Sequence, residues 1–403
     1  MYQVMKLLNS KTKNNVLQSM VNILDKRREE IVAANKKDLD AFGKGDQAMY
    51  DRLVVNNAKV DDMMRSVKEV MAQEDPVGQV IEHRKLDTGL DITNKTAPFG
   101  TIMIIYESRP DVTIEAAVLA FKANNKIYLK GGKEANHSNK ILEECWHEAL
   151  AENNLEKDWI ELLQMNRTET QDFLKNPPQH IDLVVPRGGE KLIAFVKEHS
   201  TGAVLVSGRG NNFLYVSKNA DFDTARKVML NAKIDKISGC NALDKVLVDK
   251  NLPDFEKRVK ELYDMFTENE VHIQVDDDIA KILPNEEKIP SEDTWYEEFL
   301  AMRIVLGAID GNDAAIDKIN KYSGGHSAVI VTKDKEEAAN FMEQVDSAAV
   351  YHNASTRFTD GGQMGVGAEL AISTDKLHHR GPLGLKQLVT NKYYVLGEGH
   401  IRE

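Results

Sequence analysis

The sequence predicts an α/β protein built on a parallel, doubly wound sheet. An apolar run over Thr101–Tyr106 is followed by a helical pattern over 112–124 and then by a second apolar run over 126–129. The series continues with a helix over 137–153 and with strands near 159–163 and 181–185. Strands that alternate with helices in this way pair in parallel and are covered by helices on both faces.

Two other patterns precede this series. Residues up to about 75 are predicted to be a helical scaffold, because apolar residues recur on one helical face with charged residues between them. Those apolar residues are Leu17, Met20, Leu24 and Ile31. Residues 80–96 interleave apolar and polar side chains around Asp87-Thr88-Gly89, which is typical of a long hairpin. We interpret this hairpin as an arm.

The composition excludes several classes of protein. A chain of 403 residues with 42% hydrophobic residues exceeds what one core usually serves, so two or three packed units are expected. A net charge of −12 offers no basic field to a nucleic acid. The apolar runs are too short to cross a membrane and no signal core begins the chain, so we expect a cytoplasmic protein. Two cysteines cannot build a disulfide framework, and no metal-ligand spacing occurs.

Two glycine turns follow apolar strands and open into helices. The first contains Lys130, Gly131 and Gly132, and the second contains Pro186, Arg187, Gly188 and Gly189. Such turns let a phosphate approach the backbone at a helix N-terminus, and each carries a cation. A pair of glycines after a strand can also be only a tight turn, so local sequence leaves both interpretations open.

The two cysteines have different surroundings. Cys145 shares a helical face with Ile141, Leu142 and Ala149, and we assign it to the core. Cys240 follows a glycine, and its neighbours form no apolar face at either helical or strand spacing. An exposed thiol served by backbone N–H groups is one interpretation, and a small buried residue is the other.

Two further polar clusters are candidate ligand sites. Residues 351–362 combine hydroxyls, an amide and one arginine, and include Ser355, Thr356 and Arg357. Ser108 and Arg109 follow the first predicted sheet strand, at the edge where α/β sheets bind ligands. A solvated loop in the first case and a surface salt bridge in the second are the alternatives.

Taken together, these motifs resemble the gamma-glutamyl phosphate reductases, the proline-biosynthetic branch of the aldehyde dehydrogenase superfamily. The resemblance runs from about residue 10 to the C-terminus. It rests on several motifs in family order, namely Tyr106-Glu107-Ser108-Arg109-Pro110, Pro186-Arg187-Gly188-Gly189, Cys240-Asn241-Ala242, Gly325-His326-Ser327, the run 345–361, Gly365-Val366-Gly367-Ala368-Glu369 and His379-Arg380-Gly381-Pro382.

The resemblance implies an aldehyde-dehydrogenase-like fold in three parts. These are a Rossmann-type cofactor domain over 1–79 and 98–236, an α/β catalytic domain over 237–382, and an oligomerisation arm made of 80–97 and 383–403. A homo-oligomer is therefore expected.

The resemblance also implies roles for particular residues and no metal. Catalytic roles fall to Cys240 and Asn241. Substrate-binding roles fall to Ser108, Arg109, His326, Ser355, Thr356 and Arg357. Cofactor-binding roles fall to Lys130, Gly131, Gly132, Pro186, Arg187, Gly188, Gly189, Ser207, Gly208 and Glu298.

The implied reaction is the NADPH-dependent reduction of L-glutamyl 5-phosphate to L-glutamate 5-semialdehyde and phosphate, through a thioester on Cys240. NADPH is favoured over NADH because no acidic residue follows the Lys130 strand directly and Lys133 lies close by, so a 2′-phosphate is tolerated. A transient contact with glutamate 5-kinase is left open.

Two rival functions are weighed against this one. A hydrolytic aldehyde dehydrogenase needs a general base for water, and the corresponding stretch, 204–210, contains no carboxylate. A catalytically silent scaffold would not need to keep Cys240.

The chain departs from the family pattern at two places. The family has Thr-Gln-Arg-Pro where this chain has Ile234-Asp235-Lys236-Ile237, and a Cys-His pair where it has Asn212-Phe213. Some ligand contacts are therefore expected to differ.

Overall fold

The computed structural model of the chain describes residues 6–43 and 47–402. They form two compact units. The first unit runs through Val206 and also takes in Gly365–Ala371 and the segment from Leu383 onwards. The second unit comprises Ser207–Met364 and Ile372–Pro382. Within the described ranges, no helix is both long and apolar enough to cross a membrane.

The first unit contains a parallel sheet with helices around it. Helices and strands are numbered along the chain. The helices are α1 (Ser10–Lys26), α2 (Arg28–Phe42), α3 (Gln47–Leu53), α4 (Asn57–Ala72), α5 (Val112–Lys122), α6 (Asn136–Glu152), α7 (Arg167–Lys175) and α8 (Glu190–His199). The strands, which include two of the arm, are β1 (Val80–Lys85), β2 (Asp91–Pro98), β3 (Thr101–Tyr106), β4 (Lys126–Lys130), β5 (Ile160–Leu162), β6 (Leu183–Arg187) and β7 (Ala203–Val204).

The sheet of the first unit is doubly wound, as predicted. Its five strands lie in the order β5-β4-β3-β6-β7, and all neighbours are parallel. Every residue of β3 is buried, because helices cover both faces of a parallel sheet. The chain builds outwards from β3 in one direction and then, from β6, in the other. The strand order therefore reverses between β3 and β6, where such sheets form a ligand crevice at their carboxyl edge.

The helical scaffold predicted for the N-terminal region is confirmed. Leu17, Met20, Leu24 and Ile31 are all fully buried in one cluster. Asn9 caps α1 by accepting a hydrogen bond from the backbone N–H of Thr12 at 2.8 Å. The same cluster contains Cys145, which is fully buried as predicted, and burial raises the pKa of its thiol to about 12.

The second unit is built on a larger parallel sheet. Its helices are α9 (Phe222–Ile234), α10 (Phe255–Glu268), α11 (Gly311–Tyr322) and α12 (Lys335–Gln344). Its strands are β8 (Asn212–Val216), β9 (Leu243–Asp249), β10 (His272–Val275), β11 (Glu287–Lys288), β12 (Arg303–Ile309), β13 (Ser327–Val331) and β14 (Ala349–His352). The seven strands lie in the order β11-β10-β12-β9-β8-β13-β14 and are parallel throughout.

The remaining strands include the third strand of the arm. They are β15 (Glu369–Ser373), β16 (Gly381–Gly384) and β17 (Val389–Leu396). The predicted hairpin is present, since β1 pairs antiparallel with β2. Along its other edge β2 pairs antiparallel with β17 from Val389 opposite Pro98 to Leu396 opposite Asp91. Sequence-distant segments therefore make one three-stranded sheet.

The boundary between the two units differs from the predicted one. The sequence placed residues 98–236 in one domain and 237–382 in the next, whereas the chain divides after Val206. The reason is β8, which pairs with β9 on one side and β13 on the other. Strand pairing therefore makes 207–236 part of the second sheet. Residues 365–371 belong in turn to the first unit.

A buried ion pair fixes α9 to β9 in the second unit. Nζ of Lys233 lies 3.1 Å from Oδ1 of Asp244, and both side chains are almost wholly inaccessible to solvent. Burial lowers the pKa of Lys233 and raises the pKa of Asp244. The other oxygen of Asp244 accepts a hydrogen bond from the backbone N–H of Phe299 at 2.8 Å. The pair therefore anchors a loop as well as the helix.

We predict that Lys233→Met lowers the free energy of unfolding by about 3 kcal/mol, because it leaves the Asp244 carboxylate buried without its partner. Denaturant titration of the purified variant measures this change. Lys227→Met, at an exposed position of the same helix, is the matched control. Equal stability of the two variants would show that the ion pair contributes nothing.

Candidate active site

The loop that carries Cys240 joins α9 to β9 in the second unit. It ends at the amino end of β9, and the Cys240 side chain is half-buried. Turn hydrogen bonds shape the loop: Gly239 N–H donates to the carbonyl of Lys236 at 3.1 Å, and Ala242 N–H donates to the carbonyl of Gly239 at 3.0 Å. The thiol therefore lies on a compact turn, and it differs from Cys145 in its partial exposure.

The side chain of Asn212 holds the backbone of this loop. Its Nδ2 donates to the carbonyls of Gly210 at 2.8 Å, Cys240 at 2.8 Å and Ala242 at 2.7 Å. Three acceptors share two amide hydrogens, and Asn212 is fully buried. The register of β8 against β9 shifts between Asn212 and Phe213, which accommodates this contact at the start of the strand.

Gly210 brings a second chain segment against the same loop. A Cβ atom at this position would overlap the carbonyl oxygen of Cys240. Only glycine allows the two backbones to approach so closely. The loop before β8 and the Cys240 loop are therefore packed backbone to backbone.

Asn241 is buried and its side chain is used internally. Its Nδ2 donates to the carbonyls of Arg357 at 3.3 Å and Thr359 at 3.0 Å, while its Oδ1 accepts from Nη1 of Arg357. The hydroxyl of Thr356 donates to the Asn241 carbonyl at 2.6 Å. Asn241 thus positions the segment after β14 beside Cys240.

The structure brings together the predicted residues Ser355, Thr356 and Arg357 with this loop. Residues Thr356–Phe358 form a turn of 3-10 helix that Ser355 caps by accepting from the Arg357 N–H at 3.3 Å. Ser355 and Thr356 are buried, and Arg357 is half-buried with its Nε 2.9 Å from Oδ2 of Asp235. A guanidinium therefore lies beside the candidate nucleophile.

His326 joins the same cluster through a chain of hydroxyls. Nδ1 of His326 lies 2.8 Å from the hydroxyl of Ser327, which lies 2.7 Å from the hydroxyl of Thr359. Tyr351 completes the chain with its hydroxyl 2.8 Å from Thr359. Complete burial lowers the pKa of His326 to about 4, so the ring is neutral at pH 7. Its Nε2 is buried and has no hydrogen-bond partner among the described residues.

The segment that contains Glu298 is fixed by two buried groups on β9. Besides the Asp244 contact with Phe299, Nζ of Lys245 donates to the carbonyl of Glu297 at 2.8 Å and lies 3.5 Å from the centroid of the Phe299 ring. Burial lowers the pKa of Lys245 to about 7. Glu298 itself is half-buried.

Ser207 and Gly208 precede β8 and lie in the glycine-rich part of the second unit. A Cβ atom at Gly208 would overlap the Thr374 hydroxyl and would lie 2.6 Å from the carbonyl oxygen of Gly324. Gly208 therefore packs close to the segment that leads into His326. Ser207 is half-buried.

The predicted catalytic and polar residues of the second unit lie at the amino edge of its sheet. Asn212 begins β8, and Cys240 and His326 precede β9 and β13. The carboxyl edge is filled instead by a polar network, in which Glu337 accepts from the hydroxyls of Ser217 and Thr332 at 2.6 Å each. A doubly wound fold alone favours a ligand site at the carboxyl edge of its sheet. Here the candidate residues indicate a site at the amino edge instead.

The first unit carries the other predicted residues at its carboxyl edge. Lys130 ends β4 and is paired in register with Ile105 of β3, while Arg187 ends β6 and is paired with Tyr106. Lys130, Arg187 and the loop after Tyr106 therefore come together at the reversal of strand order. Pro186 is buried within β6, and Gly188 and Gly189 are exposed just after it.

The two glycine turns differ in the space they leave. At Gly131 a Cβ atom would overlap the Asn139 side chain, and at Gly132 it would overlap Glu134. Gly189 has nothing within 4 Å of such an atom and directly precedes α8, where the exposed backbone suits a phosphate. Lys130 donates to the Gly131 carbonyl at 2.7 Å, and burial lowers its pKa.

Both hydrogen-bond donors of Ser108 are engaged by the carboxylate of Glu134. Oε1 of Glu134 accepts from both the backbone N–H of Ser108 at 2.8 Å and its hydroxyl at 2.7 Å. Ser108 is buried and adopts a positive φ of 41°, a conformation that is unusual for serine. The Glu134 contact fixes the loop after β3 in this strained shape.

Arg109 belongs to a charge cluster around the buried carboxylate of Asp111. Oδ2 of Asp111 lies 2.6 Å from Nζ of Lys59 and 3.5 Å from Nη2 of Arg109. Burial opposes ionisation of Asp111, but the two cations outweigh it and lower its pKa. Burial, together with the Asp111 charge, raises the pKa of Glu115. The surface salt bridge considered for Arg109 is therefore a pairing with a buried carboxylate.

Comparison with known proteins identifies the family. The model of the aldehyde dehydrogenase family matches residues 1–278. The gamma-glutamyl phosphate reductase of Dictyoglomus thermophilum is 40% identical over 403 residues, covering 99% of this chain and 96% of that protein. The chain belongs to the gamma-glutamyl phosphate reductase branch of the aldehyde dehydrogenase family.

Solved structures agree with this family. The crystal structure of gamma-glutamyl phosphate reductase from Thermotoga maritima is 38% identical, has a TM-score of 0.94, and covers 98% of this chain and 95% of that one. A glyceraldehyde-3-phosphate dehydrogenase from Methanocaldococcus jannaschii, solved in complex with NADP, has a TM-score of 0.68 at 15% identity and covers 98% of this chain and 91% of its own. The latter likeness concerns the fold alone.

The sequence analysis did not identify the residues that hold the candidate site residues of this reductase in place. They are Asn212, Thr359, Ser327, Glu134, Asp244 and Lys245. A signal existed for Asn212, since two asparagines directly before the apolar run 213–216 are unusual at a strand start. Asp244 and Lys245 lie within an otherwise apolar strand, which also marks them as residues with internal partners.

We predict that Asn212→Ala lowers kcat on the order of 100-fold, because the Cys240 loop loses its side-chain clamp and the candidate nucleophile is misplaced. Stability should fall by about 2 kcal/mol, since buried carbonyls are left without a donor. Steady-state kinetics and denaturant titration measure the two effects. Asn231→Ala, at an exposed position of α9, is the control and should change neither. Wild-type kcat in Asn212→Ala would contradict the clamp.

Proposed function

We propose that this chain is a cytoplasmic glutamate-5-semialdehyde dehydrogenase that reduces L-glutamyl 5-phosphate with NADPH, through a thioester on Cys240, as a step of proline biosynthesis. Membership of the reductase branch supports the substrate and the class of reaction. One observation supports the nucleophile above all others. The half-buried thiol of Cys240 lies on a loop fixed from both sides, by Asn212 and by the Asn241 contacts.

The first step is acyl transfer to sulfur. The Cys240 thiolate attacks the acyl carbon, the carbon–oxygen bond to phosphate breaks, and inorganic phosphate leaves with the bonding electron pair. The loop clamp holds the sulfur in position for this attack, which reduces the entropic part of the barrier. Backbone N–H groups near Cys240 are the proposed donors to the tetrahedral oxyanion.

The cofactor residues of the first unit fit a dinucleotide. Gly189 leaves the N-terminus of α8 open to a phosphate, and Lys130 and Arg187 supply cations on the same sheet edge. When bound, NADPH supplies the hydride that reduces the thioester to the aldehyde and returns the thiol to Cys240. The preference for NADPH over NADH is supported by Lys133, which is exposed directly after the Gly131-Gly132 turn. It is also supported by Glu134, whose carboxylate is engaged by the Ser108 hydroxyl.

Substrate contacts are assigned to Arg357, His326 and Arg109. Arg357 offers a planar cation beside the Cys240 loop, which suits a phosphate or carboxylate. His326 offers a neutral ring with an unpartnered buried Nε2. In the loop after β3, Arg109 is the better candidate for a substrate contact, because the Ser108 hydroxyl donates to Glu134.

We predict that Cys240→Ser removes oxidation of glutamate 5-semialdehyde by NADP⁺ and phosphate while NADPH binding persists, because the acyl-accepting sulfur is lost and the cofactor residues are not. Absorbance at the nicotinamide band and NADPH fluorescence titration measure the two properties. Cys145→Ala, in the core of the first unit, is the control and should retain phosphate-dependent turnover. Activity that survives in Cys240→Ser would refute the mechanism.

The same assay separates the rival functions. Wild-type protein should turn over the aldehyde only when phosphate is present, because phosphate is the acceptor of the acyl group. Sustained oxidation without phosphate would support a hydrolytic aldehyde dehydrogenase. Failure to bind NADPH would support a scaffold.

The three-stranded arm is proposed to join copies of the chain into a homo-oligomer. β1 and β17 are the two edge strands of this sheet. Exposed apolar side chains are concentrated there, including Val80, Ile81, Tyr393, Val395 and Leu396. Exposed apolar edge strands pair readily with further strands, and an apolar patch of this kind marks an association surface.

We predict that Leu396→Glu shifts the protein towards the monomer, because a charge on the edge strand must be desolvated on association. Sedimentation velocity of the variant and the wild type over a range of concentrations measures the change. Leu377→Glu, an exposed apolar residue of the second unit outside the arm, is the control. An unchanged assembly in Leu396→Glu would contradict association through this arm.

A further inference from the structure

Arg357 lies against the residues on both sides of Cys240. Its Nη1 donates to Oδ1 of Asn241, the residue after the cysteine. The same nitrogen would lie 2.9 Å from a Cβ atom at Gly239, the residue before it. The Thr356 hydroxyl holds the turn that carries Arg357 on the Asn241 carbonyl at 2.6 Å. The guanidinium is therefore placed next to the nucleophile by several contacts and not by chance packing.

Among the described residues, one carboxylate forms an ion pair with this guanidinium. Nε of Arg357 lies 2.9 Å from Oδ2 of Asp235, and Nη2 has no hydrogen-bond partner among the described residues. The Arg357 side chain is 18% exposed, whereas the Asp235 side chain is 53% exposed. An anion that reaches Arg357 would therefore meet a partly hydrated counter-ion rather than a deeply buried one.

Asp235 occupies a position where its charge is disfavoured on local grounds. It is the C-cap residue of α9, where the backbone carbonyls give the helix end a partial negative charge. Neither helix propensity nor capping accounts for a carboxylate at this place. The ion pair with Arg357 compensates for the unfavourable interaction between the Asp235 carboxylate and the helix end.

We propose that Asp235 determines how tightly the phosphate group binds, by competing with it for the guanidinium of Arg357. The inference rests on the proposed function, in which phosphate leaves from the acyl carbon beside Cys240. A planar guanidinium binds phosphate oxygens well, and a fixed carboxylate on the same group weakens that binding. Asp235 thereby favours release of inorganic phosphate after acyl transfer.

The test is the KM for phosphate during oxidation of glutamate 5-semialdehyde by NADP⁺. Asp235→Asn keeps the size of the side chain and removes its charge. At low ionic strength the KM for phosphate should fall by about three- to fivefold, the range expected for loss of one partly exposed charge contact. Asp223→Asn, an exposed acidic residue in the first turn of the same helix, is the matched control and should leave this KM unchanged.

Two further comparisons make the test specific. Arg357→Lys alone should raise the KM for phosphate, and adding Asp235→Asn in that background should have a smaller effect than in the wild type. The KM for NADP⁺ should be the same in Asp235→Asn and the wild type.

The proposal is overturned if Asp235→Asn behaves like Asp223→Asn, or if it raises the KM for phosphate. A raised KM would mean that Asp235 orients Arg357 for the anion and does not compete with it. These outcomes differ from failure of the proposed function, in which the wild-type protein would oxidise the aldehyde without phosphate or not at all.

Discussion

The contact on which the candidate site depends most is the one between the Asn212 amide and three backbone carbonyls. It connects the start of β8, the Gly210 segment and the Cys240 loop through a single fully buried side chain. A buried carbonyl without a donor is costly, so the loop cannot move away from Asn212 without losing several hydrogen bonds. The position of the thiol is thus set by strand β8, a rigid element, rather than by the loop alone.

A second layer of contacts extends this rigidity to the polar groups around the thiol. Asn241 fixes the turn that bears Arg357, and Thr359 links that turn to Ser327 and His326. Asp244 and Lys245 hold the backbone of the segment around Glu298 in the same unit. Most of these groups are buried and satisfied by one another, whereas Nε2 of His326 has no hydrogen-bond partner among the described residues.

The elements that the sequence predicted well are those with a strong local pattern. β3 was predicted because burial on both faces demands a continuous apolar run, and the face of α1 was predicted because its apolar residues recur at helical spacing. The boundary after Val206 was not predicted. It depends on β8, whose register and neighbours follow from strand pairing between segments far apart in the chain.

The candidate site was predictable in part for the same reason. Cys240 and the polar run around Arg357 could be singled out by their residue types and their neighbours in the sequence. The family resemblance then assigned them to one site. The role of Asn212 could not, because two of its acceptors, the carbonyls of Cys240 and Ala242, lie 28 and 30 residues further along the chain, and only the fold brings them to its side chain. The hydrogen bonds from Ser108 to Glu134 were likewise hidden, since the two residues lie 26 positions apart in the chain and no motif singles out Glu134.

The central claim, a thioester on Cys240 that phosphate discharges, is tested most directly by a rapid-mixing experiment without phosphate. Enzyme mixed with glutamate 5-semialdehyde and excess NADP⁺ should release one equivalent of NADPH per active site and then stop. Intact mass after acid quench should show one glutamyl adduct, mapped by digestion to the Cys240 peptide, and addition of phosphate should remove the adduct and restart turnover. Steady oxidation without a burst, or an adduct on any other residue, would contradict the account.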